Sequence, residues 1–275
     1  MAASRKRLPS SPVVAAVADS VARHVPPRAR VVLALSGGLD SVVLLNVLVA
    51  LRENHPFELT AVHVHHGLSP HADHWAGFCA GLCAEHAVEL SVHRVEIARD
   101  DAAGIEAAAR RERQRIFAAL DADFLLTAHQ LDDQAETLLL QLMRGAGPKG
   151  LAAMAELQAR PGWQAAQLRP LLGVARAALL NHAQAHGLDW VDDESNQDTR
   201  YRRNALRQQV MPLLAAHFPG SRATLARAAA LQAEAAELLD DLARLDAAAA
   251  IVGDRLDCAA LAALCALISC AGLLI

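Results

Sequence analysis

Apolar and polar positions alternate between two patterns along residues 31–145. Short apolar runs, typical of buried strands, are followed by longer stretches in which apolar residues recur every three or four positions, as on one face of a helix. The pattern predicts strands at 30–35, 58–65, 89–95 and 123–128, and helices at 40–52, 69–86, 104–120 and 132–144. Strands and helices that alternate in this way form βαβ units, so we predict an α/β fold with a parallel sheet covered on both faces.

The loops that follow these strands should meet at one edge of the sheet. Right-handed crossovers place every strand-to-helix loop at the carboxyl edge, where ligands of open α/β sheets bind. Three of these loops are polar: SGGLDS at 36–41, HHGLSPH at 65–71 and AHQLDDQ at 128–134. We therefore expect a ligand site built from these three loops.

The second half of the chain is more helical. Residues 145–150 form a predicted loop, 171–187 a helical stretch, and 221–250 a long Ala-rich helix. The helical pattern breaks at His-Phe-Pro-Gly-Ser, residues 217–221, so we predict a ligand-binding domain over 1–217 and a smaller helical domain over 218–275. Residues 259–275 carry no charge but fall short of the ~20 residues of a membrane-spanning helix. We favour a core helix of an incomplete domain there over a membrane anchor.

Composition and charge narrow the class of protein. Hydrophobic residues make up 53% of the chain and aromatic residues 3%, which favours closely packed Ala- and Leu-rich helices. The net charge of -4 excludes a polycation that coats nucleic acid, so any nucleic-acid site must be a local basic patch. The five cysteines form no C-x-x-C pair, and the N-terminus lacks the apolar core of a signal peptide. These features predict a protein of the reducing cytoplasm.

The break after the first strand has the chemistry of a phosphate site. It contains Ser36, Gly37, Gly38, Leu39, Asp40 and Ser41, and the backbone N–H groups at the start of the following helix would attract an anion. The break itself matches neither G-x-x-x-x-G-K-[ST] nor G-x-G-x-x-G. The alternative is an ordinary turn in which Asp40 or Ser41 caps the helix. Because a carboxylate beside a phosphate needs a cation between them, Asp40 implies Mg²⁺ held through the phosphates.

SGGLDS resembles the PP-loop of the ATP pyrophosphatases, which cleave ATP to AMP and pyrophosphate. Further segments resemble the tRNA(Ile)-lysidine synthetases, in order, from about residue 30 to 217: AVHVHHGLSP, GIEAAARRER, TAHQLDDQAETLLLQLMRGAGPKGL, LRPLL and WVDDESNQDTRYRRNALRQQVMP. The resemblance implies a Rossmann-like PP-loop catalytic domain. It also implies a ligase that uses ATP and Mg²⁺ to join L-lysine to C2 of the first anticodon cytidine of tRNA(Ile) with a CAU anticodon. The reaction would pass through an adenylated tRNA, form lysidine and change decoding to AUA.

The resemblance also implies roles for individual residues. Residues 36–41 would bind ATP, and Asp133 and Glu136, one helical turn apart, would bind the lysine substrate. Catalytic roles fall to Asp40, His129, Arg110 and Arg113. One alternative is an acidic residue that stabilises a helix N-terminus, which we favour for Asp132. The other is a solvated charged face, which is an alternative for Arg111, Glu112 and Arg115.

Local positive charge marks the expected tRNA contacts. Candidate residues are Arg144 and Lys149 beside the glycine loop, followed by Arg200, Arg202, Arg203 and Arg207. A helix start paired with Asp198 is the alternative, and we favour a mixture in which Asn196 and Arg203 fix the local turn and the outer arginines contact tRNA. The histidines His63, His65, His66, His71 and His74 lack the spacing of a zinc site, so we expect no metal there.

Other classes of protein remain alternatives. A PP-loop tRNA thiolase that acts on cytidine would use C-x-x-C cysteines, which Cys79 and Cys83 do not form. An amidating synthetase is a weaker alternative, and a non-catalytic nucleotide-binding domain would have no need of AHQLDDQAET. The expected partners are tRNA(Ile), L-lysine and a second copy of the chain in a homodimer, with no membrane contact.

Overall fold

The computed structural model of the chain describes residues 11–98, 101, 104–194, 198–252 and 255–256. The helices are α1 (Pro12–His24), α2 (Leu39–Leu51), α3 (Ala72–Glu85), α4 (Ile105–Ala118), α5 (Leu131–Leu142), α6 (Pro148–Leu151), α7 (Arg176–Ala185), α8 (Arg202–Ala205), α9 (Met211–His217) and α10 (Ser221–Ala250). The strands are β1 (Arg30–Ala34), β2 (Glu58–His65), β3 (Glu89–Arg94), β4 (Phe124–Leu126), β5 (Leu157–Gln158), β6 (Ala166–Leu168), β7 (Ile251–Val252) and β8 (Arg255–Leu256). A π-helical turn, Leu206–Val210, joins α8 to α9.

The main sheet has six strands in the order β3-β2-β1-β4-β6-β5. Strands β1 to β4 and β6 pair in parallel, which confirms the predicted α/β fold. At one edge the sheet has a strand that was not predicted, β5, which is antiparallel to β6. These two strands contain only two and three residues, too few for a period-two pattern to be recognised.

Alternating side chains on each strand build a hydrophobic core on each face of the sheet. Val31 and Leu33 of β1 pack in the larger core with α1, α2, α3 and α7. Val32 points to the other face and packs with Ile116 and Phe117 of α4. Both faces are therefore covered, as the sequence pattern predicted.

The strand order reverses beside β1. The chain runs from β1 outward to β2 and β3, and α4 then carries it back to β4 on the other side of β1. The carboxyl ends of β1 and β4 therefore border a crevice at the topological switch point, where open α/β sheets bind ligands. The loops after these two strands, residues 35–38 and 127–130, lie at this crevice.

Three helices differ from the sequence predictions. Helix α1 was not predicted, although Ser11 caps it and Pro12 occupies its first turn. The predicted helix at 171–187 begins only at Arg176, because residues 171–174 form a turn in which Val174 N donates to Leu171 O at 2.8 Å. The predicted loop at 145–150 includes the start of α6, which Pro148 opens.

The long helix predicted at 221–250 is confirmed as α10, and it packs along α5 and α6. Arg222 Nε lies 2.9 Å from Asp132 Oδ2, and Lys149 Nζ lies 3.3 Å from Asp240 Oδ2. The start of α10 agrees with the predicted break, and the division into two domains stays a prediction. Within the part of the chain that the structure describes, no helix is long and apolar enough to cross a membrane. The predictions for 259–275, Asn196, Cys258, Cys265 and Cys270 lie outside the described residues.

Candidate active site at the β1–β4 crevice

The loop after β1 leaves a helix N-terminus open. Gly38 is the N-cap of α2 and no side chain caps the helix, so neither Asp40 nor Ser41 has the capping role considered as the alternative. Ser36 Oγ accepts from Gly38 N at 3.3 Å and lies 3.1 Å from Ser41 Oγ, while Ser41 Oγ donates to Gly38 O at 3.0 Å. Hydroxyl groups therefore fix the loop from within, and the first N–H groups of α2 are available to an anion.

Gly37 is required by both backbone conformation and space. Its φ of 85° favours glycine, and a Cβ atom there would lie 2.9 Å from Val191 Cγ2 and 3.1 Å from Cys79 Sγ. Val191 N also donates to Gly37 O at 3.0 Å. The segment after α7 thus holds the loop from one side and α3 supports it from another.

Asp40 is a mostly buried carboxylate at the start of α2. Its side chain is 22% exposed, and Arg176 lies 3.4 Å away. Burial raises the pKa of Asp40 to about 6, although Arg176 and Arg207 favour the charged form. The charged form is therefore held weakly, and a bound cation would stabilise it.

The N-terminus of α5 places two predicted lysine-binding residues in one ion-pair cluster. Asp133 Oδ2 accepts from Gln130 N at 2.9 Å in a capping box, while Asp133 Oδ1 accepts from Arg203 at 2.8 Å and Arg207 at 3.0 Å. Glu136 has a side chain only 2% exposed, and its oxygens accept from Arg203 Nε at 2.9 Å and Arg207 Nε at 2.7 Å. We call these four side chains the α5 ion-pair cluster.

The α5 ion-pair cluster joins residues that the sequence analysis assigned to different ligands. Arg203 and Arg207 were predicted to contact tRNA, but in this structure their guanidinium groups face Asp133 and Glu136. Burial lowers the pKa of Arg207, yet the hydrogen bonds and charges of Glu136 and Asp133 outweigh it and leave the pKa raised. The tRNA and lysine assignments of these residues stay predictions. Sequence spacing could not reveal the cluster, since its two halves are about 70 residues apart.

Asp132 lies in the first turn of α5, as expected for an acidic residue that stabilises the N-terminus of the helix. It also pairs with Arg222 of α10, a partner that the sequence analysis missed. Burial raises the pKa of Asp132, while Arg222 opposes the shift. Asp132 therefore connects α5 to α10.

His129 lies in the loop after β4, next to the N-cap of α5, and α4 carries the predicted catalytic residues Arg110 and Arg113. Burial lowers the pKa of His129 to about 4, and Arg169, Arg203 and Arg113 add to the shift against the opposing charge of Asp133. Burial, Arg110 and Arg203 also lower the pKa of Arg113. Arg113 is exposed to solvent in this structure. The structure thus brings His129, Arg110 and Arg113 into one electrostatic environment.

Two further arginines, Arg160 and Arg169, were missed by the sequence analysis. Arg169 is 2% exposed and donates to Ala155 O at 2.7 Å, Gln158 Oε1 at 3.0 Å and Gln167 Oε1 at 2.7 Å. Burial, then Arg160 and Arg110, lower its pKa to about 10. Arg160 lies 4.8 Å from the ring centroid of Trp163. The segment LRPLL contains Arg169, but its role depends on β6, which the sequence pattern did not show.

The remaining predicted tRNA residues lie on the surface. Arg144 and Arg202 are exposed, Lys149 pairs with Asp240, and Arg200 lies 2.7 Å from Asp198. The pairing of Arg200 agrees with the helix-start alternative. Arg144 and Arg202 therefore present their charge most openly.

The histidines after β2 have separate environments. His63 Nδ1 lies 2.8 Å from Leu35 O beneath the loop after β1, and His65 Nε2 lies 3.2 Å from Asp73. Burial and Arg113 lower the pKa of His66 to about 4. Among the residues that the structure describes, no three His, Cys, Asp or Glu side chains are grouped as a metal site. Cys79 and Cys83 are free and buried.

The parallel sheet, the switch point between β1 and β4 and the open α2 N-terminus after a Ser-Gly-Gly loop are the features of a PP-loop domain. A family model described as a PP-loop domain matches residues 12–214, and the chain belongs to this family. The chain is similar to the U34-tRNA thiolase NcsA from Methanococcus maripaludis, solved with its [4Fe-4S] cluster, with a TM-score of 0.65. That likeness covers 79% of this chain and 76% of the thiolase at 19% identity, so it shows the fold alone.

Relatives with much higher identity are tRNA(Ile)-lysidine synthases. The chain is 53% identical over 227 residues to that of Azoarcus sp. (strain BH72), covering 82% of this chain and 50% of the relative. It is 48% identical over 234 residues to that of Nitrosomonas europaea, covering 85% and 51%. These similarities confirm the resemblance seen in the sequence. The chain spans about half the length of the curated relatives it matches.

Proposed function

We propose that this chain carries the catalytic domain of a tRNA(Ile)-lysidine synthase. It would join L-lysine to C2 of the first anticodon cytidine of tRNA(Ile) with a CAU anticodon, using ATP. The observation that carries the proposal is 46–53% identity, over most of the chain, to relatives with that name. The loop SGGLDS and the carboxylates of α5, both at the β1–β4 crevice, support it.

The proposed reaction has two steps. The C2 oxygen of cytidine attacks the α-phosphate of ATP, and pyrophosphate leaves. The ε-amine of lysine then attacks C2, AMP leaves with that oxygen, and the amine loses a proton. Residues 36–41 would bind the polyphosphate through their N–H and hydroxyl groups, because the N-terminus of α2 is uncapped.

Mg²⁺ fits this site only together with the nucleotide. Asp40 is a single carboxylate, and the described residues include no group of three possible ligands around it. Asp40 would therefore share the ion with phosphate oxygens, which is the usual way Mg²⁺ binds in ATP-using sites. The ion would neutralise phosphate charge, and Asp40 would hold it near the start of α2.

The lysine substrate would bind at Asp133 and Glu136, where cation-binding oxygens are already in place. Their oxygens accept hydrogen bonds from Arg203 and Arg207 in this structure. A lysine ammonium group would therefore share Glu136 with these guanidinium groups or displace one of them. These carboxylate oxygens are suited to bind an ammonium group, since they already accept hydrogen bonds from two guanidinium groups.

The tRNA would enter over the exposed arginines Arg144 and Arg202, with Arg110 and Arg113 nearer the reacting base. The target cytidine must leave the anticodon stack so that its C2 oxygen can reach the α-phosphate. A homodimer and a cytoplasmic location are further parts of this proposal, and the odd number of scattered cysteines, five, supports the location.

The proposal is tested by incubating the chain with labelled L-lysine, ATP, Mg²⁺ and a tRNA(Ile) transcript that has a CAU anticodon. A methionine tRNA with the same anticodon is the matched control. We expect label in the isoleucine tRNA alone, with release of AMP. Release of AMP without lysine incorporation would indicate another nucleophile, as in a thiolase. Absence of AMP would favour a nucleotide-binding domain and contradict the proposal.

A further inference from the structure

A chain of buried hydrogen bonds leads from Arg169 to His129. Arg169 donates to Gln167 Oε1 at 2.7 Å, and Gln167 Nε2 donates to Thr127 Oγ1 at 3.1 Å. Thr127 Oγ1 lies 3.0 Å from His129 Nδ1. Gln167 and Arg169 belong to the β6 segment and Thr127 and His129 follow β4, so parallel strand pairing aligns the four side chains.

The direction of each hydrogen bond follows from the Arg169 end. A guanidinium group has only donors, so the Gln167 atom that faces Arg169 must be the carbonyl oxygen. The amide nitrogen of Gln167 then faces Thr127 and donates to its oxygen. Thr127 is 5% exposed, and its own hydroxyl proton needs an acceptor. The neighbouring His129 Nδ1 is that acceptor, so the imidazole carries its proton on Nε2.

We propose that Arg169, Gln167 and Thr127 are positioning residues that hold His129 in the Nε2–H tautomer, so that His129 acts in the crevice as a hydrogen-bond donor and not as a proton acceptor. The hydrogen bond that His129 makes within the described part of the chain is through Nδ1, which leaves the Nε2–H for a substrate oxygen. The tautomer stands on the hydrogen bonds alone, whereas the donor role in turnover rests on the proposed function.

The environment of His129 agrees with a neutral donor. Burial keeps the imidazole uncharged at neutral pH, and the nearby guanidinium groups of Arg169, Arg203 and Arg113 also oppose protonation, against the opposite influence of Asp133. A neutral imidazole can still donate to a phosphate or carbonyl oxygen and needs no proton from solvent to do so.

Gln167→Glu tests the direction of the hydrogen bonds between Arg169 and His129. A carboxylate at 167 would pair with Arg169 but could not donate to Thr127, so the Thr127 hydroxyl would donate to it and accept from His129 Nδ1–H. Gln158→Glu is the matched control, because Gln158 also accepts from Arg169, at 3.0 Å, and has no bond to Thr127. The two variants add the same charge beside the same guanidinium group.

The readout is ¹⁵N NMR of histidine-labelled chain without ligands, with the His129 signals assigned by their loss in His129→Asn. We expect the proton on Nε2 in the unmodified chain and in Gln158→Glu, and on Nδ1 in Gln167→Glu. Thr127→Val should release the tautomer preference and Thr127→Ser should restore it. A proton on Nδ1 in the unmodified chain, or no change in Gln167→Glu, would overturn the assignment.

The second readout is tRNA-dependent formation of AMP. We expect Gln167→Glu to lower kcat about 100-fold, as loss of one transition-state donor does, with KM for ATP unchanged. Gln158→Glu should keep the rate of the unmodified chain, and an equal rate in Gln167→Glu would refute the donor role. If the unmodified chain forms no AMP, the proposed function fails, and the NMR measurement still decides the tautomer.

Discussion

Replacing Asp40 with Asn should stabilise the ligand-free chain at neutral pH. Burial raises the pKa of Asp40 from 3.8 to about 6, so the charged form is disfavoured in the folded state. At about 1.4 kcal/mol per pKa unit, this shift of roughly two units corresponds to about 3 kcal/mol at pH 7.5. Asn has similar shape and no charge, so Asp40→Asn should raise the free energy of unfolding by up to that amount.

This gain in the free energy of unfolding should disappear in acid. Between pH 3.8 and about 6, Asp40 is protonated in the folded state and charged in the unfolded state. Above pH 6 the penalty of the buried charge is complete, and below pH 3.8 both states are protonated and the penalty is absent. Urea unfolding of both chains at pH 7.5 and pH 4 measures the difference, which should fall below ~1 kcal/mol at pH 4.

Asp123→Asn is a matched control that should change the free energy of unfolding in the opposite direction. Hydrogen bonds from Arg30 lower the pKa of Asp123, so its removal should destabilise the chain at pH 7.5 and have less effect in acid. The reasoning about Asp40 would be refuted if Asp40→Asn destabilised the chain at pH 7.5, or changed stability equally at both pH values. With MgATP added, the unmodified chain and Asp123→Asn should gain more stability than Asp40→Asn, since Asn at position 40 cannot replace a carboxylate ligand.

Three further substitutions probe the crevice. Gly37→Ala should reduce ATP affinity at least tenfold, measured by calorimetry, because its φ of 85° and Val191 Cγ2 at 2.9 Å leave no room for a methyl group; unchanged affinity would contradict this geometry. Glu136→Ala should lower stability by about 2 kcal/mol, because it removes the buried carboxylate that accepts from Arg203 and Arg207 and leaves them Asp133 alone. It should also raise KM for lysine far more than KM for ATP; equal changes in both KM values would remove its lysine role. Arg144→Glu should weaken tRNA binding in filter assays and leave ATP binding unchanged, whereas unaltered tRNA affinity would exclude a contact at this exposed residue.

Long regular elements could be predicted from sequence because each contains enough residues to show its period. The predicted bounds of β2 and α10 agree with those observed. Strands β5 and β6 could not be predicted, since they are two and three residues long and are stabilised by pairing with β4 and with each other. The Arg169 to His129 hydrogen bonds depend on that pairing, so they also escaped the sequence analysis.

The loops that form the site could be predicted from the sequence, but most contacts between its side chains could not. SGGLDS and AHQLDDQ could be placed at one edge because strand-to-helix loops of a parallel sheet must meet there. The partners of Asp133 and Glu136 could not, because Arg203 and Arg207 reach them through the tertiary fold of α8 and the π-helical turn. A basic run in sequence shows charge but not the direction in which each side chain points.

The balance of charge differs between the two sides of the crevice. On the α5 side, the carboxylates of Asp133 and Glu136 pair with two guanidinium groups, so that side is nearly neutral and can exchange one cation for another. On the α4 and β6 side, no salt bridge within the described part of the chain involves the four guanidinium groups of Arg110, Arg113, Arg160 and Arg169. Like charges held together in a partly buried cleft repel one another, and a bound anion relieves that repulsion. We therefore expect anionic groups of the tRNA to favour the α4 and β6 side and the lysine ammonium group the α5 side, while the polyphosphate of ATP binds at the N-terminus of α2.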